Sequence, residues 1–215
     1  MRRRYLIKGS KNNNIVYYTT IDNNTINVSM GAFNVVILSN IYDEMGIITC
    51  KGNITVINNQ AFYNCTNLTS IEIPNSVTSI GNLAFSGCSN LTSIEIPNSV
   101  TSIGDGAFRY CESLTSIEIP NNVTSIGSSM FYQCSSLTSI EIPNSVTSIG
   151  NWAFYQCSSL MSVYVKSTTP PTLGYSVFNL NASDRKIYVP RASLDIYKTA
   201  SGWREYASAI EPYDF

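Results

Sequence analysis

The sequence predicts an α/β solenoid, a right-handed β/α superhelix with one parallel sheet and short helical turns. The first observation is the phrase Leu-Thr-Ser-Ile-Glu-Ile-Pro-Asn, which returns at a step of 23 residues, and a fixed period of this size indicates a repeat architecture. The second is that phenylalanine, cysteine and glycine recur at the same step. The right hand follows from the rule for parallel crossovers. The phrase begins at Leu68, Leu91, Leu114 and Leu137, and the other columns are Phe62, Phe85, Phe108, Phe131, Phe154, Cys65, Cys88, Cys111, Cys134, Cys157, Gly81, Gly104, Gly127 and Gly150.

Each repeat opens with a strand that has one buried face. Ile94 and Ile96 alternate with polar residues in a β-branched run. Pro97 then stops the pairing, because it lacks an N–H. A second short extended segment, residues 100–103, follows the turn, and Gly104 is expected to adopt a positive φ at the corner.

The rest of the repeat is predicted to be a short helical turn. Ala107, Phe108, Cys111 and Leu114 recur at i, i+1, i+4 and i+7, the spacing of a helical face directed at a core. One repeat is therefore a strand, a turn, a short extended segment and a short helix.

Three regions follow from how far the pattern extends. Weaker copies at both ends place the solenoid at residues 46–190. Residues 1–45 are predicted to form an N-terminal β cap, with strands at 14–20 and 35–41 and a hairpin turn at 42–46.

Residues 191–215 are predicted to form a C-terminal cap, because a solenoid exposes apolar surface at both ends. A helix is expected over residues 193–200 with Ser193 as its N-cap. The side chains predicted to cover the last coil are Leu194, Tyr197, Trp203, Tyr206 and Ile210.

Composition excludes several function classes. Only 13% of the 215 residues are charged, against roughly 25% in an average domain, and histidine is absent. No Ser-His-Asp or Cys-His pair can therefore form. A net charge of −1 argues against nucleic-acid binding, and no apolar run reaches the length of a membrane span. The opening Met1–Ser10 is basic but lacks the apolar stretch of a signal peptide, so no signal peptide is visible.

The six cysteines are predicted to be buried free thiols. Five of them occupy the same position in successive coils, so their side chains point the same way into the core. A disulfide needs Cβ vectors that converge, and a zinc site needs ligands that converge. We expect no cofactor, no metal and no catalytic residue.

A row of glutamates is the first candidate site. These residues share the outward strand position, so they are predicted to lie about 5 Å apart in successive strands. The row could bind a cation or a basic partner segment, or it could be an exposed strand position that tolerates charge. Thr49 and Tyr164 are expected to end it. This glutamate row is Glu72, Glu95, Glu118 and Glu141.

An aromatic patch is the second candidate site. Self-similarity is strict on the strand and loose in the predicted helical turn, where large side chains replace small ones. Tyrosine, tryptophan and arginine dominate binding hot spots, which favours a partner surface on this side. Relaxed constraint on an exposed side of the solenoid is the alternative. This aromatic patch is Arg109, Tyr110, Tyr132, Trp152 and Tyr155.

The repeat Ile-Pro-Asn-Ser-Val-Thr-Ser-Ile-Gly-x-x-Ala-Phe-x-x-Cys-x-x-Leu-Thr-Ser-Ile resembles the BspA-type leucine-rich repeat of bacterial surface proteins. The resemblance implies a non-enzymatic protein-binding module for cell-surface adhesion, with a host-matrix or cell-surface protein as partner. It also implies a surface or secreted location. The alternative is a structural spacer or scaffold in a larger assembly, favoured by the near-identity of the copies. We expect a monomer with no nucleic-acid partner and no membrane span.

Overall fold

The computed structural model describes residues 12–29, 31–43 and 45–215, which form a stack of coils. The basic opening Met1–Ser10 lies outside the described residues. Corresponding strands of successive coils pair in parallel and in register, so Ser70, Ile71 and Glu72 lie opposite their counterparts 23 residues later. The repeat solenoid predicted from the period is confirmed.

Fifteen strands and one α-helix are described, together with two 3-10 helices at Arg191–Ser193 and Trp203–Ala209. The helix is α1 (Leu194–Thr199). The strands are β1 (Ile15–Thr20), β2 (Val36–Asp43), β3 (Met45–Lys51), β4 (Val56–Ile57), β5 (Leu68–Glu72), β6 (Ser79–Ile80), β7 (Ser93–Glu95), β8 (Ser102–Ile103), β9 (Ser125–Ile126), β10 (Ser139–Ile142), β11 (Ser148–Ile149), β12 (Ser162–Val165), β13 (Thr172–Leu173), β14 (Lys186–Pro190) and β15 (Ile210–Tyr213).

The coils carry two rows of parallel strands, where the sequence predicted one parallel sheet. The main row contains β5, β7, β10, β12, β14 and β15, and the second row contains the two-residue strands β4, β6, β8, β9, β11 and β13. The main row is interrupted at residues 114–120, which are not a strand although Ile117 and Ile119 are buried. The hydrogen bonds between the Thr115 backbone and its two neighbouring coils are long, at 3.4 Å each, which accounts for the interruption.

The N-terminal strands form an antiparallel addition to the main row. β1 and β2 lie close to the predicted strands, and β2 pairs with β3 through the hairpin that brings Asp43 opposite Met45. β1 lies between β3 and β5 and is antiparallel to both. The strand of the first weak copy, β3, is therefore separated from the next coil by β1, an arrangement that the 23-residue period does not indicate.

The predicted helical turn is wrong in its backbone and right in its burial. Ala107, Phe108, Cys111 and Leu114 are all fully buried, yet the segment 105–110 is a series of turns. In each such turn segment, two residues four positions apart adopt a positive φ, as Gly106 and Tyr110 do. Alternate N–H groups donate to carbonyls of the next coil, from Phe108 to Met130 for example, and cannot also make i→i−4 helical bonds.

Glycine is required at the predicted corner for a different reason from the one expected. Gly104 is not among the positive-φ glycines. A Cβ atom at Gly104 would lie 2.3 Å from the Asn82 side chain and 2.5 Å from its backbone nitrogen. The corresponding glycines of the other coils meet the preceding coil in the same way. The column therefore exists because successive coils approach too closely there for any side chain.

A stack of phenylalanines forms the centre of the core. Successive rings from Phe62 to Phe178 lie 5.0–5.6 Å apart between centroids and are nearly parallel, with interplanar angles of 2–12°. Each ring is fully buried. The ring at each step packs between the rings of the coils before and after it, so the core is continuous along the stack.

All six cysteines are free and buried, as predicted. Their thiols also make a contact that the sequence did not suggest: each donates a hydrogen bond to a phenylalanine carbonyl in the preceding coil. The Sγ–O distances are 3.1 Å for Cys88 to Phe62, 3.2 Å for Cys111 to Phe85, 3.2 Å for Cys134 to Phe108 and 3.0 Å for Cys157 to Phe131.

We expect the free energy of unfolding to fall as the pH rises above about 9. Burial raises the pKa of Cys50 and of Cys65 to about 11 and that of Cys157 to about 12, from 9.0 for a free thiol. The unfolded chain therefore loses these protons at a lower pH than the folded chain does, and stability falls between the two pKa values. Thermal melts from pH 7 to 11 measure the effect.

The matched control is a variant with Cys50, Cys65 and Cys157 replaced by alanine, whose dependence on pH in this range should be shallower. Equal slopes for the variant and the natural chain would contradict the assignment to the thiols, because buried tyrosines such as Tyr197, whose pKa is also raised by burial, would then account for the loss.

The C-terminal segment packs against the last coil. Trp203 and Tyr206 contact the ring of Phe178, and the Trp203 indole N–H donates to the Pro171 carbonyl at 2.7 Å. Tyr197, Trp203, Tyr206 and Ile210 are buried and Leu194 is half-buried, in line with the predicted contacts. Ser193 is the N-cap residue of α1, but its side chain makes no capping hydrogen bond. β15, which was not predicted, pairs in parallel with β14.

Candidate interaction surfaces

Four of the five aromatic-patch residues form one contiguous group, here called the tyrosine–arginine cluster: Arg109, Tyr110, Tyr132 and Tyr155. The Arg109 guanidinium lies 4.6 Å from the Tyr110 ring centroid and 4.9 Å from that of Tyr132. Its Nη2 donates to the Tyr110 hydroxyl at 2.8 Å. Tyr132 stacks on Tyr155 at 5.3 Å and meets Tyr110 edge-on at 5.6 Å. The cluster spans three coils.

Trp152 lies outside this cluster. Its ring meets Tyr175 of the next coil edge-on at 6.3 Å, and the two side chains are 44% and 69% exposed. Tyr175 is a residue that sequence reasoning missed. It follows the one-residue insertion, so the fixed period assigns no position to it. Its signal was its place as an aromatic residue directly after Gly174.

The backbone under two of these aromatic side chains is strained. Tyr110 and Trp152 have φ values of 60° and 55°, in the left-handed region that favours glycine. Glycine itself stands at the same repeat positions in other coils, as Gly87 and Gly106. A bulky residue in this conformation costs stability, so its presence requires a compensating contact or function.

The glutamate row lies on the outer face of the main strand row. Glu72 and Glu95 are opposite each other in paired strands, and Glu141 lies opposite Tyr164. The row does end at Tyr164, as predicted. At the other end it does not meet Thr49: the inserted strand β1 places Tyr17 opposite Glu72. Thr49 pairs with Ile15 on the far side of β1.

One glutamate of the row has a basic partner that the repeat did not suggest. The Lys166 ammonium lies 2.6 Å from Glu141 Oε1. Lys166 stands 23 residues after Pro143, so it replaces the proline of the repeat. Both side chains are substantially exposed, and exposed ion pairs contribute little to stability. The expectation that nothing basic lies beside the row is therefore wrong at this end.

Across residues 12–29, 31–43 and 45–215, no three histidine, cysteine, aspartate or glutamate side chains are arranged to hold a metal ion. The glutamates follow one another along the stack and do not converge. The cation version of the hypothesis has no converging ligand set to support it, and the basic-segment version stays a prediction. Among the same residues, no helix has the length and apolar character needed to cross a membrane.

A model of the "BspA type Leucine rich repeat region" matches residues 11–97 and 55–184, with six copies. The chain is also similar to solved structures of bacterial proteins. The leucine-rich repeat protein of T. pallidum is 26% identical, with a TM-score of 0.57 over 80% of this chain and 81% of that one.

A leucine rich cell surface protein from Faecalibacterium prausnitzii is 26% identical, with a TM-score of 0.49 over 83% of this chain and 53% of that one. The pneumococcal vaccine antigen PcpA is 18% identical, with a TM-score of 0.53 over 74% and 42%. This chain thus spans about half of these two structures or less. No curated protein matches the sequence.

Proposed function

We propose a function from one premise: the chain belongs to the BspA-type leucine-rich repeat family. Members of leucine-rich repeat families are generally non-enzymatic modules that bind proteins through an extended surface. We propose that this chain is such a module and that it acts in adhesion at the cell surface or after secretion. Its partner is a protein, with host-matrix and cell-surface proteins as the first class to test.

The observation that carries the proposal is the tyrosine–arginine cluster. It brings together residue types that dominate binding hot spots, and it does so across three coils. The Arg109 guanidinium is held between two rings, so it loses little conformational freedom on binding. A partner would therefore meet a surface that is already organised.

The strained backbone gives further support. Tyr110 and Trp152 occupy left-handed positions where glycine would be favoured, and the fold itself does not need a large side chain there. A role in binding accounts for aromatic residues at these positions better than relaxed constraint does.

The proposal includes the organisation of the chain. We propose that residues 46–190 form the binding solenoid, with a right-handed superhelix, and that the flanking regions 1–45 and 191–215 are its caps. The contacts of Trp203 and Tyr206 with Phe178 support the C-terminal cap, because they cover the last ring of the core.

Replacing Tyr132, Tyr155 and Trp152 together with alanine is expected to lower capture of the partner by more than about tenfold. The melting temperature should change little, because these side chains are at least partly exposed. The measurement is capture from host-matrix and cell-surface proteins, followed by a binding titration with the protein retained. Tyr63→Ala is the matched control, since Tyr63 occupies the same repeat position as Arg109 two coils earlier, outside the cluster.

A structural spacer is the second candidate function, favoured by the near-identity of the coils. The same experiment separates the two. A spacer retains no specific protein, and a triple variant that captures a partner as well as the natural chain places the binding surface elsewhere.

A further inference from the structure

We propose that the basic segment of residues 1–11 docks on the glutamate row of its own chain. The first argument is charge. This segment contains five of the 13 basic residues of the protein and no acidic residue, whereas residues 52–160 contain six acidic residues and one basic residue. The basic residues of the segment are Arg2, Arg3, Arg4, Lys8 and Lys11.

The second argument is the electrostatic need of the row itself. Glu72 and Glu95 lie directly opposite each other in paired strands, where like charges are destabilising. Strand spacing repeats this arrangement at about 4.8 Å along the stack. Lys166 supplies a positive charge to Glu141 at the C-terminal end. Basic side chains from residues 1–11 would do the same at the N-terminal end.

The third argument is where the segment joins the described chain. Asn12 lines one shallow depression together with Ile15, Tyr17, Glu72 and Pro74. Residue 11 is bonded to Asn12, so the basic segment leaves the fold beside the first glutamate of the row.

The segment is also long enough. Eleven extended residues reach at most about 36–40 Å. The three strand spacings from Glu72 to Glu141 span about 14 Å. Guanidinium groups can pair with carboxylates through two parallel hydrogen bonds, which suits three consecutive arginines to a surface of repeated carboxylates. The proposal is independent of the tyrosine–arginine cluster and of the function assigned to it.

Zero-length carbodiimide coupling of the full chain tests the proposal. At low salt we expect Lys8 or Lys11 to couple to Glu72, Glu95 or Glu118, identified by peptide mass mapping. The yield should fall several-fold from about 10 mM to 1 M salt, because the Debye length shortens from about 30 Å to about 3 Å. It should also fall several-fold when Arg2, Arg3 and Arg4 are replaced by serine, although both lysines remain.

Arg191→Ser is the matched control and should leave the yield unchanged, because Arg191 pairs with Asp214 in the C-terminal segment. A mixture of isotope-labelled and unlabelled chains identifies the docking chain. Cross-links of mixed mass would overturn the proposal in favour of a second copy as the occupant. Coupling of Lys8 and Lys11 to Asp184 or Glu205 as often as to the row would also overturn it.

Discussion

Phe108→Ala is expected to lower the free energy of unfolding by about 3–5 kcal/mol, the range for truncating a buried phenylalanine. The Phe108 ring stacks between Phe85 at 5.5 Å and Phe131 at 5.6 Å and is fully buried. Its removal leaves a cavity between two coils and breaks the stack at its middle. The loss is a large share of the roughly 5–15 kcal/mol that stabilises a domain. Chemical denaturation followed by circular dichroism measures it.

Phe108→Leu is the matched control for this prediction. Leucine keeps most of the volume, so the expected loss is about 1.5 kcal/mol or less. Two variants that are equally destabilised would show that the planar ring stack, and not the filled volume, is what the core requires. An alanine variant with an unchanged midpoint would contradict the role of Phe108 altogether.

Gly150→Ala is expected to be the most damaging glycine substitution in the coils, with a loss of about 3 kcal/mol or more from overpacking. A Cβ at this position would lie 2.5 Å from the Ser128 backbone nitrogen and 2.8 Å from the Gly127 carbonyl carbon. Both atoms are backbone, so relief requires the two coils to move apart. Thermal and chemical unfolding of the purified variant measure the loss.

Gly127→Ala provides the matched comparison. Its Cβ would meet the Asp105 side chain at 2.5 Å, while the nearest backbone atoms lie at 3.3 Å. The carboxylate can rotate away at the cost of the hydrogen bond that it accepts from the Ser128 N–H. We therefore expect a loss of about 1 kcal/mol, the ordinary value of one hydrogen bond. An equal loss in both variants would contradict the distinction between backbone and side-chain contacts.

The period and the inward residues could be predicted because each coil repeats the same contacts. Ile94, Ile96 and Phe108 are buried where the alternation and the 23-residue step place them. The helical turn could not be distinguished from its alternative, because the spacing of Phe108 and Cys111 fits both a helix and a series of turns that face the core. The choice depends on hydrogen bonds to the next coil, which a single repeat does not contain.

The parts of the candidate sites that were missed lie where the period fails. β1 enters the sheet from outside the repeat, so Tyr17 replaces Thr49 as the neighbour of the glutamate row. Lys166 and Tyr175 belong to the last coils, where the consensus is lost and one residue is inserted. The separation of Trp152 from the tyrosine–arginine cluster depends on ring orientation, which residue type and spacing do not determine.

The hydrogen bonds of the turn segments give the stack an electrical direction. Three N–H groups in each of five consecutive turn segments, from Gln60 to Gln156, donate toward the C-terminal neighbour, and the carbonyls that they reach face the opposite way. Peptide dipoles of about 3.5 D aligned in this way add together, as they do along a helix. A molecule with a net charge of only −1 is therefore polarised from end to end, and two such molecules that met at their ends would be attracted head to tail and repelled head to head.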